Sequence, residues 1–267
     1  TPAMTQWVKN CWDNQITGPP YPLLAAQDEH DTMVKIIREA KSCVHMEAQL
    51  CISTSTTENK IFSAIMDRII RAWETPGDPF CFIMLVNTHQ PDEHPVVSAT
   101  TTATLHWSRR FLFSYADAAG VPRNFLMERV FLGTLEHNNT HIKVHTNLVI
   151  VDGHTMIRTS SNLTDRSLCA QPCDNELGVI VHGNSVAIAQ QRLWGMYFNQ
   201  PGGQWHPRAA FRMMCDERGV VRKITYHKTH DTTFLPDFVV DAFMRALHSL
   251  PFFGGKKSIN WETKNVT

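Results

Sequence analysis

The stretch between residues 43 and 86 constrains the fold more than any other part of the chain. Residues 43–52 are short and apolar, as a buried strand is. They are followed by Ile61, Phe62, Ile65, Met66, Ile69, Ile70 and Trp73 at helical spacing, with Ser55 and Glu58 in the form of a capping box ahead of them. Thr75-Pro76-Gly77 ends that helix, and residues 80–86 are a second apolar run of buried-strand length. Strand, amphipathic helix and strand in this order predict a parallel pair joined by a right-handed crossover.

The rest of the chain reads as an extension of the same layers. A helix over residues 31–41, capped by Asp31, precedes the crossover, and residues 1–27, with Gly18-Pro19-Pro20 and Pro22, form an irregular lead-in. After a polar loop at 89–95, the pattern predicts a helix over 101–119 closed by Gly120 and Pro122. Strands are expected at 129–135, 143–151, 154–159 and 176–181, with Asp152-Gly153 as a tight turn. A helix over 185–198 follows, and a last one is expected at 234–250. The fold class is α/β, a mixed buried β-sheet flanked by helices.

Composition narrows the function. Among 267 residues, 25 Lys+Arg balance 25 Asp+Glu, and this neutrality argues against a dedicated nucleic-acid binder. No apolar run approaches the ~20 residues that span a bilayer, so a soluble chain is expected. The start, TPAMTQWVKN, has neither a basic region nor an apolar one, and its Thr1 suggests a processed chain or a piece of a longer one. The seven cysteines (Cys11, Cys43, Cys51, Cys81, Cys169, Cys173, Cys215) are odd in number and lack a Cys-x-x-Cys pair, so buried free thiols are expected rather than disulfides or a zinc site.

Polar residues concentrate in one stretch, from His141 through Lys143, His145 and Asn147 to Asp152, followed by Thr159-Ser160-Ser161-Asn162 and Asp174-Asn175-Glu176-Leu177-Gly178. On a strand over 143–151, His141, Lys143, His145 and Asn147 share one face and must meet partners or a ligand. Three arrangements do this. They are a solvated edge strand, a metal site of His141, His145 and His154, or a phosphate site in which histidine acts as nucleophile or acid while Lys, Ser and Asn hold the oxygens. Strand spacing weakens the second, because it sets His141 and His145 about 13 Å apart, against metal bonds of ~2 Å.

The same stretch resembles the signature of the phospholipase D superfamily, His-x-Lys-x4-Asp followed six residues later by Gly-Ser-x-Asn. The fitting register begins at His145, with Asn147 in the place of the lysine and Asp152 in that of the aspartate. A register from His141 supplies Lys143 but puts Leu148 where aspartate belongs. Thr159-Ser160-Ser161-Asn162 fits with Thr for Gly, Asp165-Arg166-Ser167 resembles the family's continuation, and the run through Glu176 resembles its acidic strand. Val44-His45-Met46-Glu47-Ala48-Gln49, Asn59-Lys60, Asp67-Arg68 and Leu105-His106-Trp107 resemble the second half of a eukaryotic-type phospholipase D, so the resemblance covers residues 41–199.

The resemblance implies one half of a pseudo-twofold fold. Residues 1–40 are then a lead-in and first helix, 41–200 a phospholipase D-like catalytic half-domain, and 201–267 an extension packing on the core. The implied activity is hydrolysis or transphosphatidylation of phospholipids through a phosphohistidine, without a metal or other cofactor. His145 matches the acid/base histidine, Ser160, Asn162 and Lys143 the phosphate-binding groups, and Glu176 a residue that orients the histidine of the other half-site. Asp152 supports the local fold. Asn147 is the departure that weakens or abolishes activity, and a lysine there is expected to raise turnover by roughly two to three orders of magnitude. The implied partners are a phospholipid at a peripheral membrane surface and a homologous half-domain carrying the first motif, with no nucleic acid. Export as an effector fits the same reading. The competing class is a degenerate module that binds an anionic lipid or a protein without catalysis.

Overall fold

The computed structural model describes residues 21–23, 26–53, 57–87, 95–169 and 176–224. The lead-in before residue 21, the loop at 89–94 and the helix expected at 234–250 lie outside them. Within the described residues one mixed sheet of nine strands carries the fold. At its centre β2 (Cys43–Ala48) and β3 (Cys81–Val86) pair in parallel from Cys43↔Cys81 to Ala48↔Val86, and α2 (Ile61–Glu74) makes the crossover. Every residue of both strands is buried, which is why they read as continuous apolar runs. β4 (Val130–His137) adds in parallel to β3. On the other side of β2 the pairing turns antiparallel, through β6 (Leu148–Val151), β7 (Thr155–Thr159), β8 (Gly178–His182) and the short β1 (Tyr21–Leu23).

Helices cover both faces. α1 (Ala26–Glu39), α2 and α3 (Pro95–Ala118) bury Val44, Met46, Phe82 and Met84, while α6 (Asn184–Tyr197) and α7 (Pro207–Cys215) bury Cys43, Ile83, Leu85 and Phe131. The alternation of the strands delivers the two sets to opposite faces. Short helices α4 (Arg123–Met127) and α5 (Asp165–Leu168) complete the layers. No helix among the described residues is long and apolar enough to cross a membrane. Cys43, Cys51 and Cys81 are free and buried, and Cys215 is free and half-buried.

Several boundaries differ from those expected. α1 starts at Ala26 and α3 at Pro95, both ahead of the residues proposed to open them. Ser55 of the expected capping box lies outside the described residues, and the described groups at the start of α2 are Asn59, Ser53 and Asp165. Asn59 Oδ1 accepts from the Ile61 amide at 3.0 Å, Ser53 Oγ accepts from that of Phe62 at 3.2 Å, and the Glu58 and Asn59 amides donate to Asp165. The sheet also continues past residue 200, since β9 (Val221–Lys223) pairs with β4. Gly133 faces Leu85 on one side and Lys223 on the other, and Leu135 faces both Val221 and Ile142. β5 (Thr140–Ile142) therefore lies on the β3 side of β4, past the point where β3 has ended.

Arg68 locks the crossover from inside. Its side chain is 2% exposed, donates to both oxygens of Asp78 at 2.8 and 2.9 Å and to the Ala40 and Lys41 carbonyls, and lies 4.3 Å from the centre of the Phe80 ring. Burial raises the Asp78 carboxyl, but hydrogen bonds from Arg68 and the Phe80 amide, with the charges of Arg68 and Arg129, outweigh it and hold Asp78 below the usual range. A depressed carboxyl stabilises the fold above its unfolded value and loses that contribution as pH falls through the folded one. Arg68→Ala is expected to lower the unfolding free energy by about 3–5 kcal/mol, because it strands a part-buried carboxylate. Urea unfolding checks this, and the deficit should shrink as pH falls below the ordinary carboxylate value of 3.8 towards the depressed one.

Candidate active site

Residues 143–147 cross the end of the sheet instead of lying in it. β5 stops beyond the end of β3, and β6 stands beyond β2, so the chain between them passes over the carboxyl ends of two parallel strands. Its backbone has no strand to pair with, and buried side chains take over. Asn87, just after β3 and 4% exposed, accepts from the Val144 amide at 2.7 Å and donates to the Val144 carbonyl at 2.7 Å and the Gln49 carbonyl at 3.1 Å. The Thr146 hydroxyl donates to Glu47 on β2. Asn147, also 4% exposed, accepts from the Gln49 amide at 3.0 Å and donates to the Ser160 carbonyl at 3.1 Å, while its own carbonyl receives the Thr159 amide. Between these anchors the His145 side chain is exposed.

This geometry corrects the expected shared face of His141, Lys143, His145 and Asn147. The strand begins only at Leu148, and His141 sits in β5 opposite Glu136. Lys143 is exposed and precedes the Asn87 anchor. Asn147 turns inward with φ of 42°, a left-handed backbone that asparagine tolerates and lysine does not favour. Its amide is spent on Gln49 and Ser160, so it does not reach towards a ligand of His145. Asp152, which fills the aspartate position of the motif, lies at the opposite end of β6. There its carboxylate accepts from the Lys41, Ser42 and Cys43 amides at 2.8, 2.7 and 2.9 Å and from the Ser42 hydroxyl at 2.9 Å. His154 follows it in the same turn, so the three histidines of the metal arrangement do not come together.

The turn after β7 reaches the same end of the sheet as His145. Ser160 Oγ donates to Glu176 at 2.5 Å and accepts from the Leu177 amide at 2.9 Å, and Ser167 Oγ donates to the other Glu176 oxygen at 2.9 Å. The Ser160 proton and both Glu176 oxygens are thus engaged within the protein. Asn162 is half-buried, and its Oδ1 has no hydrogen-bond partner among the described residues.

Beneath this turn lies a residue that the sequence did not single out. Glu29 of α1 is 2% exposed and accepts the Ser161 hydroxyl at 2.9 Å. Burial raises its carboxyl above the ordinary value, hydrogen bonds from Thr159 and Ser161 pull it back in part, and the charge of Glu176 adds to the rise. Gly178 leaves it room, since a Cβ there would stand 3.1 Å from the carboxylate. In the sequence Glu29 is one of two acids in the first turn of a helix, where charge complements the dipole, and nothing marks it as buried.

No protein-family model matches the chain. It is 27% identical over 176 residues to phospholipase D zeta 2 of Arabidopsis thaliana, an alignment that takes in 57% of this chain and 16% of the plant protein. The chain therefore corresponds to a small part of that relative. Among solved structures, phosphatidylserine synthase of Haemophilus influenzae matches 83% of this chain with 51% of its own, at 12% identity and a TM-score of 0.49. The phospholipase D family member Nuc of Salmonella typhimurium matches 70% of this chain with 99% of its own, at 14% identity and a TM-score of 0.42. NucT of Helicobacter pylori matches 69% with 97%, at 12% identity and a TM-score of 0.42.

Asn147→Lys is expected to destabilise the protein by about 3 kcal/mol, since it orphans the Gln49 amide and the Ser160 carbonyl and forces a long side chain into the left-handed region. Asn147→Gly keeps the backbone conformation and should cost less. Urea midpoints of the two variants decide this, and an unchanged Asn147→Lys midpoint would contradict the anchor. For Glu29 the raised carboxyl means that the fold favours the protonated form, and its contribution is lost as pH rises from the unfolded value through the folded one. Glu29→Gln mimics that form. Its melting temperature should exceed the parent's at about pH 8, and the gap should close on acidification towards the ordinary value of 4.5.

Proposed function

Because this chain belongs to the phospholipase D superfamily, we propose that it supplies one half-site of a phospholipid phosphodiesterase, with His145 as the acid/base histidine. A homologous half, from another chain or from the rest of the same protein, contributes the histidine that attacks phosphorus. The bond from phosphorus to the alcohol oxygen breaks as the phosphohistidine forms, and His145 gives its proton to the departing oxygen. The same imidazole then takes a proton from water, or from an acceptor alcohol, as that oxygen displaces the histidine.

The observation that carries this reading is the presentation of His145: an exposed imidazole on a backbone fixed at Val144, Thr146 and Asn147. Proton transfer rewards such a pre-set orientation. In this scheme Asn162 and Lys143 meet the phosphoryl oxygens, and Ser160 joins them once Glu176 turns to the partner's histidine. A lipid substrate is favoured over nucleic acid by the zero formal charge, which removes the phosphate-backbone attraction that dominates nucleic-acid binding. It is favoured also by Ile142, 39% exposed beside Lys143, and Leu177, 45% exposed beside Glu176. These two apolar side chains suit a rim that meets a peripheral membrane surface.

A non-catalytic lipid- or protein-binding module is the second reading. It is favoured by Asn147, which stands as a structural anchor where the family pattern has lysine, and by the engaged Ser160 hydroxyl.

The test is the leaving-group dependence of His145→Ala, because protonation matters most for a basic alkoxide. The variant is expected to lose about 10³-fold on phosphatidylcholine vesicles and far less on a nitrophenyl phosphodiester. Equal losses on both substrates would reject the assignment. Vesicle binding without turnover when the homologous half is also present, and unaltered in the variant, would establish the binding module.

A further inference from the structure

Glu47 is a deeply buried acid at this end of the sheet. It is 3% exposed, on a strand whose neighbours on the same face, Ile83, Leu85, Leu148 and Ile150, are apolar. An apolar residue would fill the position without the desolvation that a carboxylate suffers there. Among the described residues no ion pair with Lys or Arg offsets that desolvation. His45 Nε2 stands 3.7 Å from Glu47 Oε1, and burial lowers the His45 pKa against the pull of Glu47, which favours the neutral ring. The carboxylate is met instead by two hydroxyls, Tyr197 on Oε1 and Thr146 on Oε2. Burial, with the charge of Glu47, pushes the Tyr197 phenol well above its usual range, so it keeps its proton and donates.

Thr146 is the residue next to His145, and what an apolar side chain at 47 lacks is any hold on it. Asn87 fixes the Val144 amide and carbonyl, so the peptide entering His145 is set from one side. On the other side Thr146 is the hold nearest to it, one residue before the Asn147 anchor. Resting on the assignment of His145 made above, we propose that Glu47 is a positioning residue. It orients His145 through the Thr146 hydroxyl and is itself braced from α6 by Tyr197. The link runs from the helix layer through the central strand to the exposed histidine, and each step is a single hydrogen bond.

The test uses the full chain with Thr146→Val, which removes the hydroxyl at constant shape, Thr146→Ser, which retains it, and Tyr197→Phe, which removes the brace. The first readout is the His145 imidazole signal in heteronuclear NMR, identified by its disappearance in His145→Ala. The second is turnover of bis(p-nitrophenyl) phosphate. Thr146→Val is expected to displace and broaden the imidazole signal and to reduce kcat about tenfold to a hundredfold with little change in KM. Thr146→Ser should restore both, and Tyr197→Phe should fall between. A Thr146→Val protein that melts earlier, yet keeps the parent imidazole signal and the parent rate per folded molecule, would overturn the proposal and leave Glu47 a structural role. If the signal moves in Thr146→Val and returns in Thr146→Ser while no turnover is seen even with the homologous half present, the positioning stands and the catalytic assignment of His145 falls.

Discussion

The double hydrogen bond between Asn87 and Val144 is the constraint on which the functional end of the molecule depends. Val144 is 3% exposed and belongs to no strand, so its amide and carbonyl would both be orphaned without the Asn87 side chain. Each such loss costs on the order of 1–3 kcal/mol. The asparagine acts as a one-residue strand, continuing β3 past its end so that a crossing segment can dock. Once Val144 is fixed, Thr146 falls beside Glu47 and Asn147 beside Gln49 and Ser160, and His145 is left facing outward.

The seven-residue spacing from His145 to Asp152 acquires a mechanical meaning in this frame. It is the height of the sheet: β6 occupies the interval, with the histidine beyond one end and the aspartate at the other. Because β6 runs antiparallel to β2, the turn that holds Asp152 lies beside the start of β2, and the carboxylate binds the amides of residues 41–43. The same register puts the His145 end beside the finish of β2, where Glu47 and Gln49 stand. One strand thus couples an anchor for the fold at its carboxyl end to a presented side chain at its amino end.

The parallel core was legible because its signals are local. β2, α2 and β3 show themselves by apolar runs, helical spacing and a Pro-Gly break within a short stretch. The stretch from Lys143 to Asn147 was not, since its alternating polar residues imitate a half-buried strand, and only the position of β5 past the end of β3 shows that the chain has a gap to cross. Glu29 and Glu47 were missed as site residues for a related reason: the partners that define them, Ser161 and Tyr197, lie far along the chain. The residues of the signature were found by pattern, but the pattern does not separate a group aimed at a ligand from one aimed at the backbone, as Asn147 and Asp152 demonstrate.

Position 147 sharpens that distinction, because the anchor and the cation exclude each other there. Holding Gln49 and Ser160 requires a short amide on a left-handed backbone, whereas a lysine reaching outward requires an extended one. This chain has the anchor, so positive charge for a phosphate must come from elsewhere. Glu29, Glu47 and Glu176 surround the same end of the sheet, with Lys143 as the cation carried by the crossing segment. Burial, with the charge of Glu176, raises the Glu29 carboxyl, so a charge beneath the Ser160–Asn162 turn costs more than it would in water.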